Sequence, residues 1–144
     1  MKKCIEIMTK NPVCCVPSDL ASKAAELMKN HHIGSIPIVD HQQTNKLLGI
    51  VTDRDLTLRI IADGLDAKST TVETVMTHKI VTCKAEDDFQ KALDAMSENQ
   101  LRRIPIVDDE DRILGIIAQA DMATRVDHPK RTAAMVKEIS KVNS

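Results

Sequence analysis

The 144-residue chain has no tryptophan, no tyrosine and a single phenylalanine, Phe89. That scarcity removes the aromatic platforms on which single-stranded nucleic-acid binders stack bases, so any base held here must lie against aliphatic side chains. Charge of one sign is also missing. Twenty Lys+Arg stand against 21 Asp+Glu, a formal net charge of −1, which excludes the broad basic footprint of non-specific nucleic-acid binding. No apolar run approaches the roughly 20 residues of a membrane-crossing helix, and no hydrophobic stretch of signal-peptide length follows Lys2-Lys3. The sequence therefore reads as cytoplasmic, with no membrane partner. The four cysteines, Cys4, Cys14, Cys15 and Cys83, show neither paired C-x₂-C zinc spacing nor a C-x-x-C redox pair. In a reducing compartment the expectation is four free thiols. A nucleophile elbow, a Walker loop and an H-E-x-x-H motif are absent too, so the sequence points away from an enzyme.

What is present is ordinary globular composition, 42% hydrophobic and 28% charged, together with an internal repeat. A shift of 68 residues places Met8-Thr9 on Met76-Thr77, Cys15 on Cys83, Asp19 on Asp87, Met28 on Met96, and Ile36-Pro37-Ile38-Val39-Asp40 on Ile104-Pro105-Ile106-Val107-Asp108. Beyond a two-residue deletion between Asp40 and Lys46, the shift becomes 66 and Leu48-Gly49-Ile50 meets Leu114-Gly115-Ile116, while Asp55 meets Asp121. Loops tolerate such length changes.

Each copy reads β-α-β-β-α. A short strand (Val13–Val16; Val81–Cys83) precedes a helix started by Ser18 or Asp19 and by Glu86 or Asp87. The helices carry Leu20, Ala24, Leu27 and Met28, and Phe89, Ala92, Leu93 and Met96, at the spacing of one buried face. Two strands follow, Ile36–Val39 with Leu47–Val51 and Ile104–Val107 with Ile113–Ile117, then a helix from Asp53 or Gln119. One copy is too small to bury both faces of its sheet, so an α/β (α+β) fold is expected in which two repeats, related by a pseudo-twofold, pack as one globule. The expected division is 1–66 for the first repeat, 67–127 for the second and 128–144 for a C-terminal helix. Pro37 and Pro105 predict an open sheet edge at their strands. Cys14 and Cys15 point to opposite faces, and Cys15 and Cys83, at equivalent positions, are placed to approach one another across the pseudo-twofold. In the helix after Asp53, the apolar residues Leu56, Leu58, Ile60, Ile61 and Ala62 fall into two sectors at 100° per residue, which predicts an exposed apolar face and a homodimer.

The duplicated Met-Thr, Ile-Pro-Ile-Val-Asp and Gly49-Ile50-Val51-Thr52-Asp53-Arg54-Asp55 segments resemble the cystathionine-β-synthase (CBS) domain, a family that occurs as tandem pairs, over about residues 5–126. The resemblance implies a regulatory module sensing an adenosine-containing ligand (AMP, ADP, ATP, NAD-type dinucleotides or S-adenosylmethionine), with no obligatory cofactor. It also implies a subunit-packing change as the output and an unidentified protein target. At a strand-to-helix junction, the hydroxyl of Thr52 and the free N–H groups of the first turn can face a phosphate. Asp55, one turn on, is an acceptor pair suited to ribose hydroxyls. The same spacing is close to a capping box, which serves only the helix. In the second copy Asp121 is kept but Ala118 replaces the threonine. The resemblance further implies a phosphate-reaching basic residue just before the h-P strand, Arg102 or Arg103, of which alternation lets one face the cleft and Arg103 is the choice. It places adenine against Thr9, Val13 and Cys14, with Ile36 and Pro37 opposite. Two other readings remain open: a ligand-independent interaction module, and a redox or metal sensor acting through Cys14, Cys15 or Cys83.

Overall fold

Helix α1 (Cys4–Ile7) and strand β1 (Thr9–Lys10) open this computed structural model, which describes residues 2–120. There follow α2 (Ala21–His31), β2 (Ser35–Val39), β3 (Leu47–Thr52), α3 (Asp53–Leu56) continuing into a π-helical turn (Thr57–Ile61), and α4 (Val72–Val75). The second copy supplies β4 (Cys83–Lys84), α5 (Phe89–Glu98), β5 (Arg103–Val107) and β6 (Ile113–Ala118). Asp121 and the expected helix at 128–144 lie outside the described residues.

The chain divides into two compact units. One contains residues 1–11, 81–110 and 114–144, the other residues 12–80 and 111–113. In the first unit the strands run β1-β6-β5-β4, with Thr9 opposite Ile116 antiparallel and Cys83 opposite Ile106 parallel. The second unit repeats that order in reduced form. Thr77 bridges Ile50 of β3, β3 pairs with β2, and Cys15 bridges Ile38 of β2 in parallel. Every contact carries over by the offsets of 68 and 66 residues.

The expected strands at Val13–Val16 and Val81–Cys83 are shorter than their apolar runs, a single bridge at Cys15 and the two residues Cys83–Lys84. Neither proline strand is open, because both its sides are used. Cys15 N–H donates to the Pro37 carbonyl (3.0 Å) and Val39 N–H to the Cys15 carbonyl (2.9 Å), while β5 lies between β6 and β4. The alternation of N–H groups along a strand puts the donor that Pro37 lacks just ahead of this short ladder, where none is needed. Asp19 and Asp87 are not helix caps. Their carboxylates accept from the N–H of Val16 (2.9 Å) and Lys84 (2.8 Å), closing the turn before the helix, and the caps are Leu20 and Asp88. Leu20, expected on the buried face, is exposed, whereas Phe89, Ala92, Leu93 and Met96 are all buried as their spacing requires.

Each unit has its own core. Ile7, Met8, Phe89, Met96, Ile104, Ile106 and Ile117 fill one, and Met28, Ile36, Ile38, Val51, Ile60, Val72 and Met76 the other. Gly49 and Gly115 are small for a reason the two cores share. A Cβ on Gly49 would stand 2.8 Å from the Thr77 carbonyl and 2.9 Å from Met76 Sδ; on Gly115 it would stand 2.7 Å from the Thr9 carbonyl and 2.6 Å from Met8 Sδ. Gly49→Ala is therefore expected to destabilise by about 1–3 kcal/mol, the usual cost of overpacking against backbone. Urea titration checks it, and an unchanged midpoint would remove Thr77 from that position.

Candidate functional site

Thr52 ends β3 and caps α3. Its Oγ1 accepts from Asp55 N–H (3.1 Å), and Asp55 Oδ2 accepts in return from Thr52 N–H (3.0 Å), so the reciprocal capping box is complete. The other carboxylate oxygen faces two further groups: the Thr77 hydroxyl donates to Oδ1 at 3.4 Å, and Arg59 Nε lies 3.9 Å from it. The Asp55 side chain is only 13% exposed. A half-buried carboxylate fixed by three donors presents its remaining lone pairs in one direction, as recognition of paired hydroxyls requires.

Arg59 and Thr77 were not among the residues read from sequence. Arg59 stands in the π-helical turn, a geometry that recurs at functional sites, and its Nη1 donates to the carbonyls of Val75 (3.1 Å) and Met76 (3.3 Å), which end α4. The i,i+4 spacing of Asp55 and Arg59 is visible in the chain and was the available clue. Thr77 could have been found through the duplicated Met-Thr, but only by pairing each copy's Met-Thr with the other copy's third strand.

The remaining candidates are distributed between the two units. Val13 and Cys14 are half-buried and Ile36 and Pro37 buried, all in the unit that holds Thr52 and Asp55. The Cys14 thiol donates to the Pro12 carbonyl (3.3 Å), its carbonyl accepts from Gln42 Nε2 (3.3 Å), and burial pushes its pKa up to about 11. Thr9 belongs to the other unit, opposite Ile116 of β6. In place of Thr9, Asp55 has Thr77. Arg103 begins β5 and is half-buried, while Arg102 before it is exposed. The Arg102 carbonyl accepts from Gln119 N–H (2.8 Å), as the Gly34 carbonyl accepts from Asp53 N–H (2.9 Å). That bond fastens the arginine pair beside the start of the second copy's helix, next to Ala118.

The cysteines do not pair as expected from the repeat. Cys83 hydrogen-bonds with Cys4, its neighbour in the same core, rather than with Cys15. Cys15 is buried elsewhere, and burial first, then the charge of Asp19, pushes its thiol up to about 12. Among the described residues no three His, Cys, Asp or Glu side chains are grouped to hold a metal ion, and no helix is long and apolar enough to cross a membrane.

Two β-α-β-β units with duplicated T-x-x-D junctions define a tandem repeat protein of the CBS type. The CBS domain family model matches residues 4–62 and 72–128, and the chain belongs to that family as a tandem pair. It is 34% identical over 130 residues to inosine-5'-monophosphate dehydrogenase of Methanocaldococcus jannaschii, covering 90% of this chain but 25% of that enzyme. The chain thus spans a quarter of that relative's length. The crystal structure of Hypoxic Response Protein I with two coordinated zinc ions is similar at 30% identity and a TM-score of 0.78, over 87% of this chain and 99% of that one. The CBS domain pair of protein MJ0100, solved with 5'-methylthioadenosine and S-adenosyl-L-methionine, is similar at 28% identity and a TM-score of 0.72, over 85% and 94% of the two chains.

Proposed function

We propose that this chain is a non-catalytic, cytoplasmic regulatory module that binds an adenosine-containing ligand and reports its occupancy through a change in subunit packing. The observation that carries the reading is the Asp55 carboxylate, half-buried and aimed by Thr52, Thr77 and Arg59 at the mouth of a strand-to-helix turn. The adenosine ligands of the MJ0100 pair support the ligand class. Thr52 and Asp55 are assigned to phosphate and ribose, Val13, Cys14, Ile36 and Pro37 to the apolar wall, and Arg103 rather than Arg102 to phosphate. Asp121 and Thr9 are assigned to the weaker second site.

A thermal-shift panel of AMP, ADP, ATP, NAD, S-adenosylmethionine and zinc, with and without reductant, tests the reading. A ligand that binds only the native state adds about 2.7 kcal/mol at 100 times its Kd. No shift with any adenosine compound at millimolar concentration would sink the proposal, and a shift with zinc alone would favour a metal sensor. Within the panel, Arg103→Ala is expected to weaken AMP and ATP roughly ten- to a hundred-fold, from the loss of a charge-assisted hydrogen bond, and adenosine hardly at all. Equal losses for nucleotide and nucleoside would make Arg103 structural.

The completed capping box favours a second reading, a ligand-independent interaction module in which Thr52 and Asp55 only stabilise α3. In either reading the protein is proposed to be a homodimer. Leu58, Ile61 and Leu65 are 47%, 74% and 45% exposed on the face opposite buried Ile60, an apolar patch of the kind that marks an interface.

A further inference from the structure

The pairing of Cys4 with Cys83 lies outside the nucleotide reading and does not depend on it. Cys4 opens α1, and Cys83 opens β4. The segment carrying Cys4 is laid along the β4–α5 turn by bonds on both sides of it. Phe89 N–H donates to the Lys2 carbonyl (2.9 Å), Cys4 N–H to the Asp87 carbonyl (2.9 Å) and Ile5 N–H to the Ala85 carbonyl (3.0 Å). The two thiols meet inside that clasp and hydrogen-bond to each other, and the Cys4 thiol also reaches the Asp88 carbonyl at 3.9 Å. Cys4 is 0% and Cys83 3% exposed, in one apolar cluster with Met8 and Phe89.

We propose that Cys4 and Cys83 are an oxidation site at which a peroxide converts the dithiol into an intramolecular disulfide joining α1 to β4. The roles of the two sulfurs differ. The hydrogen bond from Cys4 favours the thiolate of Cys83 and holds the Cys4 proton in place, so Cys83 is the sulfur that attacks. Its sulfur displaces one oxygen of the peroxide, forming a sulfenic acid and releasing water; Cys4 sulfur then attacks the Cys83 sulfur, its proton and the hydroxyl leaving as a second water. Two thiols are oxidised by two electrons and one hydrogen peroxide is reduced to two waters, so the step balances without a cofactor. Access to the buried pair comes from opening α1, a single helical turn held by few bonds. The repeat does not foretell the site, because the residue equivalent to Cys4 in the second copy is Val72.

The test is a peptide map of the native wild-type protein after hydrogen peroxide treatment. Reduced protein is expected to alkylate at all four free cysteines in denaturant. Treated protein is expected to lose two hydrogens in mass, to alkylate only at Cys14 and Cys15, to yield a linked Cys4–Cys83 peptide, and to revert with dithiothreitol. A Cys14→Ser/Cys15→Ser double variant is expected to keep the link, and Cys83→Ser to abolish it. A wild-type map in which Cys4 and Cys83 stay alkylable, or in which either is joined to Cys14 or Cys15 instead, overturns the proposal without recourse to any variant.

Discussion

Asp55→Ala is expected to lower both ligand affinity and the stability of the ligand-free protein. The substitution removes the acceptor for Thr52 N–H, for the Thr77 hydroxyl and for Arg59. A lost capping interaction together with a lost charged acceptor costs about 1–3 kcal/mol of unfolding free energy. Affinity for the adenosine ligand should fall roughly ten- to a hundred-fold as the ribose acceptor disappears. Thr52→Val separates the two effects. As a cap alone it loses about 1 kcal/mol of stability, whereas as a ligand group it loses affinity at nearly unchanged stability. Urea unfolding and calorimetric titration on the same samples give both numbers. If Asp121→Ala proves the more severe of the two aspartate substitutions, the intact T-x-x-D is not the main site and the reading of Ala118 is wrong.

Leu58→Glu combined with Ile61→Glu is expected to convert the dimer into monomers. Each apolar side chain taken from water contributes about 1.5–3 kcal/mol, and a symmetric interface counts each residue twice. Even if ordering and desolvation consume half of that gain, losing four such contacts weakens association at least roughly a thousand-fold, about 4 kcal/mol. Light scattering at micromolar concentration should then move from 31.8 kDa, twice the chain mass of 15.9 kDa, to the mass of one chain. A double variant that keeps the dimer mass, or a wild-type protein that is already monomeric, puts the interface elsewhere or removes it. Ile60 is the internal control: it is 4% exposed, so changing it acts on folding rather than on association.

The repeat offsets, the β2–β3 and β5–β6 hairpins and the apolar face of α5 were all legible in the chain, because each rests on a local period or an identity between copies. The Thr52–Asp55 pair was legible for the same reason. What escaped was short or non-local. Helices α1 and α4 are one turn each, and a single turn has no period to recognise, although Cys4, Ile7 and Met8 and their counterparts Val72, Val75 and Met76 are all buried. Thr77 escaped because its partners, Ile50 and Asp55, lie more than twenty residues away. The proline edges were misjudged for a related reason. Proline forbids one donor, not one side of a strand, and the ladder beside Pro37 starts past the missing donor. The π-helical turn widens the spacing of apolar positions after Thr57, which an assumed 100° step cannot anticipate.

Gly49 leaves room for Met76-Thr77, and Gly115 for Met8-Thr9, so each β-α-β-β body is closed by a segment that the chain reaches only by crossing into the other copy's span. A gene encoding one repeat would therefore specify a body with an open slot and a loose key that fits it. Two such chains could complete each other by trading keys, so reciprocal exchange would assemble the single-repeat protein as an intertwined pair. Fusing two copies in tandem converts that bimolecular exchange into a folding step within one molecule, independent of concentration. The same bookkeeping governs dissection. A nick in the 62–71 linker leaves the crossed segments in place, whereas separating the fragments strips both bodies at once, so halves expressed apart should regain structure only when mixed.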